Sequence, residues 1–308
     1  MKKFYIIFSF LILISNLSFS QTPTMSSGFP KNLDNKRSYS AWSTPLIADL
    51  NRDGQKEIIV VTINPDTLRI PLCNLTVTKS NGESFPNFPK VYNDTIFTLA
   101  SGDINQDGFL DIVMRANSRI YAIDRFGNDL PGFPVQFYDR QFSSFKSVSL
   151  YDLDGDGKLE IIASQRNQIC VFNNLGQIKP GWPRSFTGYS NLTPGIADLD
   201  NDGKGEIVLC TFKHLSSLPY SDSAYVRCYK HNGENFSNNW PIKLDSNYGF
   251  WEGSPSIYVD KNNPDLTFIL VPSEKYVPSG SPTIFRTCIT KYGLNGNIKK
   301  RLYQEIRR

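Results

Sequence analysis

Apolar residues of this chain fall in short runs separated by turns, and the same order of runs recurs about every fifty residues. A short strand of small and apolar residues, as in Ser43–Ala48, leads into an acidic turn and then a wholly apolar strand, as in Ile58–Val61. An alternating strand that ends in a glycine turn follows, as in Arg119–Gly127, and an aromatic-proline pair such as Phe133-Pro134 opens another strand. Alternation and short apolar runs bounded by glycine and proline are typical of strands, so each unit predicts four of them.

Five such units predict an all-β protein built as a β-propeller of about five four-stranded blades. The second strand of each unit is apolar on both faces, as expected where blades pack face to face. Beyond residue 20 no amphipathic helical run is found. A parallel β-helix is the alternative architecture, but its repeats are shorter. The predicted units lie approximately at 41–90, 97–137, 146–186, 192–243 and 253–300.

The aromatic-proline pair follows the glycine turn in the first four units but not in the fifth. One such pair, Phe29-Pro30, stands before the first unit. We expect this pair to supply the fourth strand of the last blade, so that the two chain ends close the ring. Closure would protect sheet edges that are otherwise open to pairing with another chain.

Four of the units carry an acidic turn between their first and second strands. Each turn has Asp or Asn at positions 1, 3 and 5, glycine at position 6 and an acid at position 9. Oxygen side chains that alternate on a tight loop converge on one point, where a hard cation with about six to eight oxygen ligands fits. A single Asp-Gly turn is a weak signal. Four copies with identical offsets predict about four calcium ions per chain.

The ligands of the predicted calcium sites are the side chains at positions 1, 3, 5 and 9 and the backbone carbonyl at position 7. An EF-hand is excluded, because position 12 is apolar in every copy and strands flank the turns. The side-chain ligands are Asp49, Asn51, Asp53 and Glu57; Asp103, Asn105, Asp107 and Asp111; Asp152, Asp154, Asp156 and Glu160; and Asp198, Asp200, Asp202 and Glu206. The carbonyl ligands belong to Gln55, Phe109, Lys158 and Lys204.

The turns differ in their charge. The third and fourth carry four carboxylates each and are expected to bind calcium most tightly, whereas Asn51 and Asn105 lower the charge of the first two. In the fifth unit the segment Asp260–Asp265 lacks the acidic spacing and the glycine. We expect no calcium site there.

The first 20 residues have the pattern of a secretory signal peptide. Lys2 and Lys3 precede an apolar run from Phe4 to Ile14, and residues 18–20 fit a cleavage site. The alternative is an uncleaved membrane anchor. No later stretch is long and apolar enough to span a bilayer. The pattern therefore predicts a mature chain of residues 21–308 that is secreted to an extracellular or periplasmic compartment and has no membrane span after cleavage.

Charge and cysteine content change this picture little. The formal net charge is +4, and the four acidic turns hold 14 of the 29 acidic residues, so the remaining surface is basic. This charge suits anionic glycans or other acidic surfaces, although dispersed, solvated lysine and arginine explain it as well.

Of the five cysteines, only Cys210 and Cys228 lie on neighbouring strands where a disulfide can be considered. We expect the cysteines to be small buried side chains of the core.

A binding surface is expected on the face opposite the acidic turns. Long connections are predicted there at 64–74, 214–223 and 274–282, and long loops on a regular scaffold tend to carry function. The blade-to-blade connectors on this face are rich in aromatic residues, which stack on sugars or anchor protein partners. The alternative is that the rings pack between blades. The candidate ligand-binding residues are Trp42, Tyr92, Tyr138, Tyr189 and Trp251.

The sequence offers no catalytic residues. Its two histidines, His214 and His231, lack an evident Asp or Ser partner. No nucleophile elbow, phosphate loop or zinc spacing is present. An active site assembled from distant blades remains an open alternative.

The acidic turns, their flanking strands and the Gly-Phe/Trp-Pro pieces resemble FG-GAP/VCBS repeats, a family that includes the calcium-bearing blades of the integrin α-chain propeller. The resemblance covers roughly residues 28–300. It implies extracellular binding or adhesion, and it raises the alternative that this chain forms part of a seven-bladed ring. We expect a secreted module that binds a glycan or a protein, not nucleic acid. The alternatives are a polysaccharide-active hydrolase or lyase and a structural module of a larger surface assembly.

Overall fold

The computed structural model describes residues 28–29, 39–40, 43–64, 72–137, 147–165, 167–190, 193–214, 221–244, 248–249, 254–277 and 284–307. Within these ranges the protein is all-β, with 22 strands in five antiparallel sheets and one short 3-10 helix, Pro264–Leu266. We number the strands in chain order and call the sheets blades 1 to 5.

The blades follow one another along the chain. Blade 1 contains β1 (Tyr39–Ser40), β2 (Leu46–Ala48), β3 (Glu57–Asn64), β4 (Leu72–Thr78) and β5 (Lys90–Tyr92). Blade 2 contains β6 (Ile96–Gly102), β7 (Asp111–Ala116), β8 (Arg119–Ile123) and β9 (Val135–Gln136). Blade 3 contains β10 (Val148–Tyr151), β11 (Glu160–Gln165), β12 (Gln168–Phe172) and β13 (Arg184–Ser185). Blade 4 contains β14 (Gly195–Ala197), β15 (Glu206–His214), β16 (Ser221–Tyr229) and β17 (Ile242–Lys243). Blade 5 contains β18 (Tyr248–Gly249), β19 (Ser256–Tyr258), β20 (Phe268–Val277), β21 (Ile284–Tyr292) and β22 (Ile298–Arg307).

Each blade is an antiparallel meander, and in blades 2, 3 and 4 every strand pairs with the next. In blade 1 the short strands β1 and β2 pair with opposite ends of β3 and share the place of the first strand, and β18 and β19 do the same along β20. All five sheets therefore have four strand positions. This arrangement confirms the prediction of an all-β, propeller-type fold with five four-stranded blades.

The second strands form the core because both of their faces are covered by neighbouring blades. In β15, Ile207 and Leu209 pack in a cluster with blade 3, while Val208 and Cys210 pack in a cluster with blade 5. All four side chains are fully buried. Burial of one such side chain contributes about 1.5–3 kcal/mol, so each blade is held mainly by its neighbours.

The prediction for ring closure is wrong. The fourth strand of blade 5 is β22, which pairs along its length with β21, so Phe29-Pro30 does not take that place. Three hydrophobic clusters connect blade 1 to 2, blades 2 to 4, and blade 4 to 5, and among the described residues none joins blade 5 to blade 1. The sequence could not reveal β22, because that strand lacks the aromatic-proline pair used to recognise the others.

Gly28, which directly precedes the Phe29-Pro30 pair, packs on blade 1. A Cβ placed on Gly28 would lie 2.2 Å from Asn81 O in the glycine turn of that blade. Gly132 and Gly181 make the same close approach to Leu175 and Asn232, in the glycine turns of the blades that follow theirs. Gly28 therefore occupies, against blade 1, the position that a preceding blade's glycine occupies elsewhere.

The aromatic-proline pairs link successive blades. All four peptide bonds between the aromatic residue and proline are cis. Trp182 Nε1 donates a hydrogen bond to His231 O, and Trp240 Nε1 donates to Leu294 O, each in the glycine turn of the next blade. The pairs therefore have a structural role at the blade interfaces.

The five cysteines are free and fully buried. Cys210 lies opposite Val226, and Cys228 lies opposite Val208, so the two sulfur atoms are out of register and form no disulfide. The cysteines act as small apolar side chains of the core.

Candidate metal centres

The four acidic turns share a buried acid at position 9, the first residue of the second strand. These acids are 1% exposed. One carboxylate oxygen of each accepts a hydrogen bond from the backbone N–H at position 2, whose Leu or Ile side chain is buried in the core. The pairs are Leu50 to Glu57 (2.8 Å), Ile104 to Asp111 (2.9 Å), Leu153 to Glu160 (2.7 Å) and Leu199 to Glu206 (2.8 Å). The acid is thus fixed beneath the turn by core packing.

The aspartate at position 1 holds the turn closed. One of its oxygens accepts the N–H of the glycine at position 6, at 2.9–3.1 Å. These glycines have φ between 83° and 90°, a conformation that residues with a Cβ rarely adopt. The pairs are Asp49 with Gly54, Asp103 with Gly108, Asp152 with Gly157 and Asp198 with Gly203.

Position 5 supports the second half of the turn. Its Oδ1 accepts the N–H of position 7 at 2.7–2.8 Å, which places Asp53, Asp107, Asp156 and Asp202 beside Gln55, Phe109, Lys158 and Lys204. Position 4 is left-handed in every turn, with φ of 59–76° at Arg52, Gln106, Gly155 and Asn201. The sequence pattern missed position 4, because its residue type is not constrained.

Two turns bring three acids together. In the third turn, Asp152, Asp154 and Glu160 offer oxygens that all lie within 4.8 Å of one another, and in the fourth turn Asp198, Asp200 and Glu206 do the same. We call these groups acid cluster 3 and acid cluster 4. Asp156 and Asp202 lie outside them and face solvent.

The first two turns differ because position 3 is an amide. Asn51 Nδ2 donates to Asp53 Oδ2 at 2.9 Å, and Asn105 Nδ2 donates to Asp107 Oδ2 at 3.2 Å. Neither turn forms a three-acid group within the described part of the chain. Each nevertheless keeps the backbone scaffold of the other two.

Burial, and to a lesser extent charge repulsion, raises the pKa values of several acids in the turns. Burial, aided by the like charges of neighbouring aspartates, raises the pKa of Glu206 to about 8 and that of Asp111 to about 6. Burial also raises the pKa values of Glu57, Glu160 and Asp200. A cation bound to these oxygens would relieve both the desolvation and the repulsion.

The donor set fits a calcium ion. All its side-chain donors are oxygens, as a hard cation requires, and no cysteine or histidine lies in the turns. Asp49 Oδ1, Asp103 Oδ1 and Asp154 Oδ1 are buried without a hydrogen-bond partner in the described structure. Such oxygens are costly to leave unsatisfied and suit a metal ligand.

The acidic turns also contact one another around the arc of blades. Gln106 Nε2 in the second turn donates to Gly157 O in the third at 3.1 Å. The Gly205 N–H in the fourth turn donates to Leu153 O in the third at 2.9 Å, and a Cβ on Gly205 would lie 2.7 Å from the Tyr151 ring. An ion held in one of these turns would therefore lie next to the interface between two blades.

The fifth turn keeps its nine-residue length but has lost its ligands. The Asp260 N–H donates to Thr267 Oγ1 at 3.1 Å, so these residues take positions 2 and 9. Position 1 is then Val259 and position 3 is Lys261. The sequence pattern indicates that the spacing itself is lost, because the acids Asp260 and Asp265 fall at positions 2 and 7, where no side-chain ligand is expected.

The aromatic candidates are only partly described. Tyr92 is half-buried, with its ring edge-on to Tyr121 at a centroid distance of 5.0 Å. Tyr189 is half-buried and packs edge-on against Phe212 at 4.7 Å. Trp42, Tyr138 and Trp251 lie outside the described residues. The two described rings thus contact the scaffold and keep part of their surface exposed.

The comparisons with known proteins agree with this fold. A family model for the FG-GAP-like repeat matches residues 146–209, which span acidic turns 3 and 4. The match confirms the resemblance noted in the sequence and is consistent with an FG-GAP/VCBS repeat protein. No curated protein matches the chain.

Several solved structures match the chain at low sequence identity. The V. cholerae biofilm matrix protein Bap1 matches with a TM-score of 0.54 and 16% identity, over 91% of this chain and 41% of that one. This chain thus spans about two fifths of the Bap1 chain. BBS1N in complex with ARL6DN gives a TM-score of 0.40 at 11% identity, over 88% and 93% of the two chains. An Agrocybe aegerita lectin that recognises non-reducing terminal N-acetylglucosamine gives 0.34 at 14% identity, over 84% and 79%.

Proposed function

We propose that this chain is a secreted, calcium-binding β-propeller that acts as an extracellular binding module for a glycan or a protein. The observation that carries the proposal is the common scaffold of the four acidic turns. In each turn a buried acid, a closing aspartate and a left-handed glycine form the same hydrogen-bonded scaffold, on which we expect the oxygen donors to surround an ion. Acid clusters 3 and 4 are the most complete of these sites.

Calcium in these sites is structural. Carboxylates held within a few ångströms repel one another, and the ion offsets this repulsion at the place where neighbouring blades meet. Asp, Asn and the position-7 carbonyl would hold the ion, and the buried acid at position 9 would anchor it to the second strand. The ion supplies rigidity to the blade interfaces, and the proposal assigns it no chemical step.

The N-terminal leader supports secretion. Its basic start, apolar run and small residues before position 21 fit a signal peptide that is removed on export. Among the described residues no helix is long and apolar enough to cross a membrane. The fold also occurs in a biofilm matrix protein, which is compatible with an extracellular setting.

The partner is proposed to bind at the end of the blades opposite the acidic turns. Tyr92 and Tyr189 lie where one blade connects to the next, and each keeps part of its ring exposed beside the scaffold. An aromatic face of this kind suits the apolar face of a sugar ring or an apolar protein side chain. Trp42, Tyr138 and Trp251 complete the set of proposed contact residues.

Calorimetric titration of residues 21–308 with calcium tests the metal sites. About four ions per chain are expected. Thermal melts in calcium and in chelator should differ widely, because one site at a calcium concentration of a hundred times its Kd adds about 2.7 kcal/mol. For a chain of this size that corresponds to about 4–5 °C per site. Absence of binding together with identical melts would show that the turns are ordinary Asp-Gly turns.

A screen of the same protein against a glycan array and extracellular polysaccharides tests the binding role. The proposal predicts retention of a glycan class or a protein partner without release of products. The double variant Tyr92→Ala, Tyr189→Ala should reduce binding while leaving the calcium stoichiometry unchanged. Release of reducing ends or unsaturated sugars would instead identify a hydrolase or a lyase.

A further inference from the structure

Acid cluster 3 contains a positive charge from elsewhere in its own blade. Lys179 Nζ lies 2.5 Å from Asp154 Oδ2 and 2.9 Å from Glu160 Oε1. These atoms belong to two of the three acids of the cluster. The lysine side chain is 18% exposed, so the ammonium is largely removed from water. Among the described residues, the salt bridges that reach the acids of the two clusters are both made by Lys179.

Blades 1, 2 and 4 have apolar residues at the position of Lys179. The equivalence follows from one backbone hydrogen bond, in which this residue donates its N–H to the third strand: Lys179 to Val171, Phe85 to Val77, Leu130 to Ala122 and Phe236 to Cys228. Phe85 and Leu130 are 5% exposed and pack in the core. Blade 3 thus has an ammonium where blades 1, 2 and 4 have only carbon, and its acidic turn alone is reached by a lysine from this position.

The ammonium and a calcium ion would compete for the same oxygens. Lys179 donates to one oxygen at position 3 and one at position 9, which are two of the proposed calcium ligands. An ammonium bonds to few oxygens and carries a single charge, whereas calcium takes about six to eight oxygen ligands. The flexible four-carbon stem of lysine allows the ammonium to move into the solvent when the ion enters.

We propose that Lys179 is a built-in counter-ion of acid cluster 3, which sets the calcium threshold of that site. The inference rests on the proposed calcium function. Without calcium the single charge of the ammonium offsets part of the negative charge of Asp154 and Glu160 and keeps blade 3 ordered. Calcium fills this site only at concentrations high enough to displace the ammonium. Turn 4, with the same number of acids and no such lysine, fills first.

The test is calcium titration of residues 21–308 carrying Lys179→Met, with Lys243→Met as the control. The control removes the same single charge, but Lys243 is exposed in β17, outside the acidic turns. Loss of a charge-assisted competitor should raise the calcium affinity of one site by about tenfold or more. Lys243→Met should change affinities by no more than about threefold, because exposed charges contribute little. Lys179→Leu, which copies Leu130, serves as a second variant if the methionine variant folds poorly.

Thermal melts provide an independent readout. Lys179→Met should melt below wild type in chelator, because Asp154 and Glu160 lose their counter-ion, and the difference should close in saturating calcium. A wild type that binds calcium while Lys179→Met and Lys179→Leu leave every affinity within threefold would overturn the role of Lys179 and leave the calcium function intact. Absence of calcium binding in wild type and both variants would overturn both proposals.

Discussion

Replacement of Glu206 by Gln should change the free energy of unfolding in opposite directions with and without calcium. Glu206 is 1% exposed, and burial together with the nearby aspartates raises its pKa from 4.5 to about 8. At pH 7 the unfolded chain ionises this carboxyl, whereas the calcium-free folded chain keeps it mostly protonated. This difference lowers the free energy of unfolding by about 1.4 kcal/mol for each pH unit above 4.5. The amide is uncharged in both states, so the variant should gain up to about 3 kcal/mol in chelator at pH 7.

In calcium the same change should destabilise the protein. The ionised carboxylate is a proposed ligand, and a neutral amide oxygen binds the ion more weakly. The variant should therefore lose the stabilisation that turn 4 gains from calcium, about 2.7 kcal/mol at a hundred times the Kd. The amide oxygen can still accept the Leu199 N–H, so the backbone scaffold of the turn is retained. Urea unfolding at pH 7, in chelator and in saturating calcium, measures both effects.

Glu160→Gln is the matched control. Its carboxylate occupies the same position in turn 3, but Oε1 is paired with Lys179 Nζ at 2.9 Å. Removing that charge leaves the ammonium with Asp154 alone, so this variant should gain nothing in chelator. The reasoning is refuted if Glu206→Gln is less stable than wild type in chelator, or if Glu160→Gln gains as much.

Two further predictions concern pH and charge. Asp111 and Glu206 have pKa values of about 6 and about 8 in the folded chain, above their values in the unfolded chain. Below about pH 4 both carboxyls are protonated in either state, so the free energy of unfolding is not lowered by them. It falls as the pH rises through 8, because the unfolded chain ionises these carboxyls more readily. Melts in chelator should therefore be higher at pH 5.5 than at pH 8.5, and calcium should reverse the order because it requires ionised ligands; equal melts at both pH values would contradict this. Asp200→Asn gives turn 4 the amide of the first two turns and should weaken one calcium site by about tenfold, whereas Asn51→Asp should strengthen one. Calorimetry measures both, and an unchanged affinity in both variants would remove position 3 from the ligand set.

Much of the fold could be predicted from local patterns. The strands of a blade are short and adjacent in sequence, so alternation, glycine turns and the acidic nonamer each identify a blade without knowledge of distant contacts. Glycine at position 6 could be predicted as a sharp turn because few other residues adopt positive φ. The last strand, β22, could not be predicted, because it carries none of these local markers.

The sequence by itself determined the repeat, the blade architecture and the positions of the oxygen donors, because each is encoded within a few neighbouring residues. Tertiary structure decided which donors converge. Burial beneath Leu199 places Glu206 in acid cluster 4, and the pairing of Asp260 with Thr267 reveals that the fifth turn keeps its length without ligands. Lys179 reaches Glu160 from 19 residues away. That contact depends on how a meander folds back on itself, which sequence spacing does not express.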